Sequence, residues 1–452
     1  MKDATHPALD RSRPPAAAPS QPCAFPRFEH ERLESGVRLW TLDVPDRNLV
    51  TVTLLVPGGS ELDPPHLAGL ASFTAGLRSK GTTQRTALEF AAAAEDLGTA
   101  VSASCSWEIA GVGTTMRSED VAAGLELVAE AAVQPAFEEE EIERARRRRL
   151  AEIERRRSDP ASLAGAAFAR AVYDETPYGK QTIGDRESTQ AIARSDIAAF
   201  HDRALAARSC HLIAVGDLGP DRLRRTIEDK IERPLRSHTG DFDDEPARLE
   251  PGQPGTPARQ VVIVDRPGAA QTELRVGHVG IPRRHPDRIP IQVANSILGG
   301  KFMSRLNLNL RERHGYTYGV SSSFSSRRGP GPFVVGTAVA NEVTGAACRE
   351  IVAELERLCS EPPSEAELDD ARNYLVGVFP YTMQTIQNLS SRLKALATFD
   401  LDHDEYERWP ERIRATTRED VHEVCRRHLF PDRLTITAVG PASELEPQLE
   451  DL

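Results

Sequence analysis

The chain uses one order of elements twice, and this internal repeat limits its fold more than any other feature. The matching runs are NLVTVTLLV and TELRVGHVGI, then EEEEIERARRRRLAEIERRR and SEAELDDARNYLVGVF, then SCHLIAVGDL and RLTITAVGPA. Arg146 and Arg372 lie 226 positions apart, and Val215 and Val439 lie 224 positions apart. Because two separate elements have nearly the same offset, we infer an internal duplication.

An acidic segment rich in proline and glycine, SHTGDFDDEPARLEPGQPGTP, separates the two halves and is typical of a linker. Strands and long helices alternate irregularly in each half, which predicts an α+β fold of two homologous domains in tandem, each a mixed sheet with long helices. The predicted boundaries are a disordered tail at 1–26, a first domain at 27–236, the linker at 237–257 and a second domain at 258–452.

Composition narrows the classes of partner and compartment. The 452 residues include 56 Lys and Arg against 68 Asp and Glu, a net charge of −12. An acidic chain repels nucleic acid and anionic lipid, so neither is an expected partner. No apolar run has the length of a membrane span, and the N-terminus lacks the apolar core of a signal peptide. The six cysteines lack metal-site spacing, and most have apolar neighbours, so we expect free thiols and a cytoplasmic protein.

One helical stretch, GLASFTAGLRSKGT at 69–82, has the frame of a metal-binding helix without its ligands. The longer run VPGGSELDPPHLAGLASFTAGLRSKGT resembles the insulinase/pitrilysin/mitochondrial processing peptidase family of zinc metallopeptidases. Members of that family carry G-L-A-H-F-L-E-H followed by K-G-T, and the motif H-x-x-E-H supplies two zinc ligands and a glutamate that activates water. The resemblance spans residues 28–442 and implies two metallopeptidase-type domains that form half of a clam-shell.

The chain departs from this family at the catalytic motif itself. Ser72 and Gly76 stand where the two histidines belong, and Ala75 stands where the glutamate belongs. The resemblance places the third zinc ligand at Glu152, but a lone carboxylate does not form a zinc site. A simpler interpretation pairs Glu152 with Arg148 or Arg156 on the same helix. Arg148 and Arg149 would also repel a dication, so we expect no metal and no cofactor in this chain.

Two further sets of residues in the sequence are candidates for a zinc site and for a peptide-binding strand. His66, His201 and His211 are scattered through the first half, which indicates loop or core histidines and no rebuilt zinc site. In the second half PGAAQTELRVG also resembles the family, and it predicts a strand that begins at Gln271 and Thr272. If that strand were an exposed edge, it would pair with an extended peptide. The glycine-rich RRGPGPF predicts a hairpin turn, since no strand-to-helix phosphate loop surrounds it.

The second half keeps another family signature, in LGGKFMSRLNLNLRERHGYTYGVSSSF at 298–324. It resembles G-G-x-x-S-R-L-x-x-x-L-R-e-x-x-G-x-x-Y, whose arginine and tyrosine fall at Arg311 and Tyr318. The resemblance implies that this pair reaches the zinc-bearing domain, binds carbonyl groups of the substrate and stabilises the tetrahedral intermediate. An arginine fork and a phenol are both suitable donors to an oxyanion. The alternative is a structural arginine followed by a buried tyrosine.

Some members of the family are two-chain enzymes in which one chain holds zinc and the other keeps only the arginine and tyrosine. The resemblance therefore implies a zinc-less subunit of a heterodimeric metalloendopeptidase, inactive alone, with zinc in an HxxEH-bearing homologous partner and a peptide as substrate. In the absence of that partner, a homodimer is the alternative assembly. A second hypothesis is a structural or peptide-binding scaffold of the same fold with no catalytic duty.

Overall fold

The structure is a computed structural model that describes Ser12 and residues 23–174, 176–206, 210–236 and 258–452. The predicted linker at 237–257 lies outside the described residues, as does most of the predicted tail at 1–26. In the last part of that tail, Phe25 is buried, and its ring centroid lies 5.2 Å from that of Tyr406.

The described residues form two β-sheets, one in each half. The first sheet consists of β1 (Glu29–Arg32), β2 (Arg38–Asp43), β3 (Leu49–Pro57), β4 (Ser102–Cys105), β5 (Ile109–Arg117) and β6 (His211–Gly216). The second consists of β7 (Gln260–Asp265), β8 (Gln271–Val279), β9 (Val320–Phe324), β10 (Pro332–Ala340) and β11 (Thr435–Gly440). The strand order is β1-β2-β6-β3-β5-β4 in the first sheet and β7-β11-β8-β10-β9 in the second.

The two sheets have the same topology, apart from the additional β1. In each sheet the last strand of the half is parallel to its first neighbour and antiparallel to its second. Val215 of β6 lies opposite Thr51, and Val439 of β11 lies opposite Glu273. Both last strands are buried along their whole length, as their apolar sequences require. The predicted duplication and the α+β class are therefore confirmed.

Helices surround both sheets. In the first half they are α1 (Leu70–Leu77), α2 (Ala87–Asp96), α3 (Val121–Val133), α4 (Glu139–Ser158), α5 (Pro160–Tyr173), α6 (Arg186–Ala191), α7 (Arg194–Ala206), α8 (Pro220–Ile227) and α9 (Arg233–Arg236). In the second half they are α10 (Arg288–Leu298), α11 (Thr344–Ser360), α12 (Glu365–Val378), α13 (Ile386–Phe399), α14 (Glu405–Ala415), α15 (Arg418–His428) and α16 (Ala442–Leu449). Among the described residues, none of the helices has both the length and the apolar character needed to cross a bilayer.

The long helix α4 carries ion pairs along its own surface. Three glutamates lie in its first turn and three arginines in its last turn, which complements the helix dipole. Glu140 pairs with Arg144 as the spacing predicts, with 2.8 Å between Oε1 and Nη2. Glu143 pairs with Arg146, three residues away, and not with the residue four positions on. This helix lies against α1, so its inner face determines what surrounds the vacated motif.

Each half contributes one helix to the sheet of the other half. Helix α5 of the first half packs on β7, β8 and β11, while α13 of the second half packs on β3 and β6. These two helices also begin 226 positions apart, at Pro160 and Ile386. A single apolar cluster accordingly contains Trp40 and Val215 of the first half together with Leu393 of the second. The two halves are thus joined by a shared core.

The hairpin between β9 and β10, which the sequence predicted at RRGPGPF, also joins the halves. Arg327 places its guanidinium carbon 4.9 Å from the ring centroid of Trp107 and 4.5 Å from that of Tyr178. Arg328 donates from Nη1 to Oε1 of Glu61 over 2.8 Å. Burial raises the pKa of Glu61 to about 7, although Arg328 opposes this shift. The hairpin therefore contacts the loop that leads into α1.

Candidate functional site

The loop before α1 fixes the start of the vacated helix. The carboxylate of Asp63 accepts hydrogen bonds from the backbone amides of Gly69 (2.8 Å) and Ala71 (2.7 Å). Gly69 has a φ of +90°, and a Cβ there would lie 2.6 Å from the carbonyl oxygen of Ile183, so glycine is required. Burial raises the pKa of Asp63 to about 6, even though the two amide hydrogen bonds lower it. The strand-to-helix geometry is thus intact.

The three vacated positions, Ser72, Ala75 and Gly76, all lie on α1, one helical turn apart or adjacent. Ser72 donates from Oγ to the carbonyl oxygen of Thr182 over 2.6 Å. Ala75 is buried, with 2% of its surface exposed. Gly76 is exposed, and a Cβ placed there would have no neighbour within 4 Å. The last position thus faces open space, as a ligand position would, but offers no ligand atom.

A positive charge stands beside the first vacated position. Arg149 of α4 donates from Nη1 to Ser72 Oγ (2.9 Å) and to the carbonyl oxygen of Ile183 (2.8 Å). Its guanidinium carbon lies 5.4 Å from the ring centroid of Phe73. Burial lowers the pKa of Arg149 from its usual value, but a guanidinium remains charged in proteins. The neighbouring Arg148 is exposed. Arg149 is therefore the residue whose charge would repel a divalent cation at this position.

Glu152, the remaining ligand position, is committed to other partners. Its carboxylate accepts from Arg155 Nη2 over 2.7 Å and from Arg156 Nε over 2.8 Å. These hydrogen bonds, with that from Arg155 first, lower the pKa of Glu152 to about 2. The pairing with Arg156 agrees with the simpler interpretation, whereas Arg155 and not Arg148 is the second partner. A serine, an alanine, a glycine and a paired glutamate beside a fixed cation do not fit zinc.

Arg311 and Tyr318 lie in and after the π-helical segment Asn307–Arg313, in the second half. The guanidinium carbon of Arg311 is 4.3 Å from the ring centroid of Phe302, and its Nε is 3.6 Å from Glu312 Oε1. Tyr318 is 94% exposed. The alternative of a buried structural tyrosine is therefore excluded. Neither side chain forms a contact with the vacated positions in its own chain; the contacts of Arg311 are with its own half.

The half that carries this pair also carries most of the exposed apolar side chains, and one of them, Phe302, contacts Arg311. Among the described residues, seven of the nine large apolar side chains that are exposed belong to the second half, and they are Phe302, Met303, Leu308, Tyr318, Tyr374, Val378 and Tyr381. Arg305 fixes the segment that carries Phe302 and Met303, because its Nε donates to Glu367 of α12 over 2.6 Å. Clustered exposed apolar groups commonly mark a binding surface.

The prediction that the strand at Gln271 and Thr272 offers a free edge to a peptide is wrong. Gln271 does begin β8, but β8 lies between β11 and β10 and has no free edge. The sequence could not distinguish these positions, since central and edge strands share the same alternation. The edge strands of the second sheet are β7 and β9. The outer edge of β9 is occupied: Asn307 bonds both the amide and the carbonyl of Val320, and Asn295 bonds the carbonyl of Ser322.

In the first sheet the edge strands are β1 and β4, and β4 lies against α1. Its alternate residues Ser102 and Ser104 are exposed. The three histidines considered in the sequence do not approach this region as a group: His66 is exposed, while His201 and His211 are buried. Trp40 donates to His211 over 3.0 Å, which accounts for that histidine as a core residue.

Comparisons with known proteins agree with this geometry. A family profile described as "Insulinase (Peptidase family M16)" matches residues 39–186, and one described as "Peptidase M16 inactive domain" matches residues 191–375. The chain is 26% identical over 439 residues to an uncharacterized zinc protease of Mycobacterium tuberculosis, covering 94% of this chain and 96% of that protein. It is 25% identical over 429 residues to the human mitochondrial-processing peptidase subunit beta, covering 91% and 84% respectively.

A solved structure from Pseudomonas fluorescens, described as a peptidase M16 inactive domain, superposes with a TM-score of 0.82 at 24% identity. The superposition covers 92% of this chain and 98% of that one. At this level of identity the similarity supports the fold, and the chemistry must be argued from the residues.

Proposed function

Because the chain belongs to the insulinase family (peptidase family M16), we propose that it is the zinc-less subunit of a two-chain metalloendopeptidase. The observation that carries this proposal is a contrast between two sites in one chain. The zinc helix keeps its frame but offers no ligand, and Arg149 stands beside it. The second half keeps Arg311 together with Tyr318, whose side chain is exposed to solvent.

In the proposed complex Arg311 and Tyr318 act in trans on the substrate. As the partner's metal-activated water attacks a peptide carbonyl, negative charge develops on the carbonyl oxygen. The guanidinium and the phenol donate hydrogen bonds to substrate oxygens and so stabilise that charge. The contact of Arg311 with the Phe302 ring holds the guanidinium in place before the substrate arrives. Phe302, which is exposed and contacts Arg311, would also contact an apolar side chain of an unfolded peptide.

Under this division of labour the chain alone is expected to be inactive. The chain has donors for an oxyanion but no means of generating a nucleophile, since neither a metal ligand set nor a free general base stands on α1. A homologous partner with an intact HxxEH helix supplies zinc and the activated water. This chain then supplies the second half of an enclosed chamber.

The test is peptidase activity with zinc on a fluorogenic peptide, measured for this chain, for an HxxEH-bearing homologue from the same cell, and for their mixture. The proposal expects activity in the mixture well above that of the homologue alone, together with co-elution of the two chains. If the mixture is no more active than the homologue, the scaffold hypothesis replaces this one. Activity of this chain alone would show that the zinc site is not vacant.

A further inference from the structure

Three side chains with metal-ligating atoms meet where α10 begins and α15 ends, in the second half. His285 lies in the segment before α10, Asp287 is the N-cap residue that precedes α10, and His428 is the last residue of α15. Nε2 of His428 is 2.6 Å from Oδ2 of Asp287, and Nδ1 of His285 is 4.0 Å from the same oxygen. One ligand atom from each of the three lies within 4.8 Å of the other two.

The orientation of Asp287 is not explained by its place at the start of a helix. An aspartate at this position usually accepts a hydrogen bond from an amide of the first turn. The carboxylate of Asp287 forms no such cap and turns toward His428 instead. The rings of His285 and His428 meet edge to face, with centroids 4.8 Å apart. All three side chains are partly buried, with 27%, 18% and 13% of His285, Asp287 and His428 exposed.

We propose that these three residues bind a divalent transition-metal ion. Two imidazoles and one carboxylate favour zinc, cobalt or nickel over magnesium or calcium, which prefer oxygen ligands only. Tetrahedral zinc with bonds of about 2.0–2.2 Å places neighbouring ligand atoms about 3.3 Å apart. The observed separations of 2.6 Å and 4.0 Å lie on either side of that value. Side-chain rotation alone can therefore close the site, and water fills the fourth position.

Two existing contacts compete with the metal. Arg427 donates from Nη1 to Oδ2 of Asp287 over 2.6 Å, and the amide of Asp287 donates to Nδ1 of His285 over 3.1 Å. Arg427 is half exposed and also bonds Glu423, so it can turn away and keep a partner. The metal then binds Nε2 of His428 and the carboxylate of Asp287 in place of the hydrogen bond between them. Because Arg427 competes with the metal for the carboxylate of Asp287, replacing Arg427 tests whether the metal binds there.

The site is independent of the proposed peptidase role. Its residues belong to the second half, whereas the vacated helix belongs to the first, and neither Arg311 nor Tyr318 takes part. Metal found in the purified chain would therefore not by itself indicate a rebuilt catalytic centre. The two proposals can fail separately, because one is measured by metal stoichiometry and the other by activity with a partner.

The experiment titrates the metal-free full chain with Co²⁺ alone, followed by its visible absorbance, and then measures bound zinc after dialysis. We expect one equivalent per chain, lost in His285→Ala and in His428→Ala. The matched control is His422→Ala on the same helix, where the imidazole contacts the carbonyl of Cys359; it should keep the full equivalent. Thermal melting of each variant verifies that it is folded.

A second variant keeps the test decisive even if a histidine variant unfolds. Arg427→Gln removes the competing cation, so the affinity for Co²⁺ should increase by about three- to tenfold. If the cluster were only an ion pair between two helices, this variant would bind no metal. The proposal is overturned if the native chain binds no Co²⁺, or if the double variant of His285 and His428 binds as much as the native chain.

Discussion

The guanidinium of Arg149 joins helix α4 to helix α1. Its hydrogen bonds run from α4 to the hydroxyl of Ser72 on α1 and to the carbonyl of Ile183. A fixed internal cation thus links these two helices at the position of Ser72.

Replacing Arg149 with alanine should therefore reduce stability. The variant loses two hydrogen bonds and the contact with the Phe73 ring, so the free energy of unfolding should fall by about 1–3 kcal/mol. The measurement is urea denaturation followed by circular dichroism. Arg148→Ala, at the exposed neighbouring position, is the control and should change the value by less than about 0.5 kcal/mol. Equal effects of the two variants would contradict the linking role.

The buried imidazole of His278 should make the free energy of unfolding depend on pH. Burial lowers the pKa of this imidazole to about 4, while its Nε2 accepts the amide of Phe430 over 3.3 Å. The folded state therefore resists protonation that the unfolded chain accepts near pH 6.5. Stability from this group is complete above pH 6.5 and is lost as the pH falls toward 4.

The size of this contribution is about 1–3 kcal/mol between pH 6.5 and 4. The measurement compares unfolding of the native chain and of His278→Gln across that range, since other groups titrate in both. The native chain should lose more stability on acidification than the variant does. Glu61, whose pKa is raised to about 7, works in the opposite direction and is common to both proteins. Parallel pH profiles would exclude the assignment.

At the scale of elements, the two halves use the same interactions in the same places. Arg146 of α4 donates to the carbonyl of Ile192, where α6 ends, and Arg372 of α12 donates to the carbonyl of Thr416, where α14 ends. Each arginine also pairs with an acid three residues earlier. This repeated helix-to-helix link was not anticipated, although the offset of the two arginines was visible in the sequence.

The exchange of α5 and α13 between the sheets makes each helix essential to the other half. Phe168 on α5 is buried, in a cluster packed against Val279 and Val334 of the second sheet. Phe168→Ala should lower the free energy of unfolding by about 3–5 kcal/mol, because it leaves a cavity between the halves. Calorimetry measures this loss, and Arg170→Ala on the exposed side of the same helix is the control. A loss below about 1 kcal/mol would show that α5 is not part of a shared core.

The sequence indicated the elements and their repeat, but not which sheet each helix covers. The periodicity of α5 predicts that the helix has an apolar face, but it does not indicate which of the two sheets that face packs against. For the same reason Gln271 was placed correctly at a strand start while the strand was wrongly taken for a free edge. The exposure of Tyr318 and the meeting of His285 with His428, far away in sequence, depend on tertiary contacts that local patterns do not contain.

At the scale of the whole molecule, the chain consists of two domains with the same sheet topology but different candidate functional side chains. In the first domain α1 offers no metal-ligating side chain, and the second domain carries Arg311 and the exposed Tyr318. The hairpin residues Arg327 and Arg328 hold the second domain against the loop that leads into α1. We therefore expect the two domains to unfold together and, under the proposed function, the chain to act only beside a complementary one.

The central claim is that Arg311 and Tyr318 complete the active site of a zinc-bearing partner. The direct measurement is kcat of the reconstituted pair with Arg311→Ala, against Arg313→Ala as an exposed control on the same helical turn, with association checked by gel filtration. Tyr318→Phe is compared in the same way with Tyr381→Phe, also at an exposed tyrosine. We expect kcat to fall by about 10²–10³ for Arg311→Ala with association unchanged, and no change for the controls. An undiminished kcat in the associated Arg311→Ala pair would contradict the account.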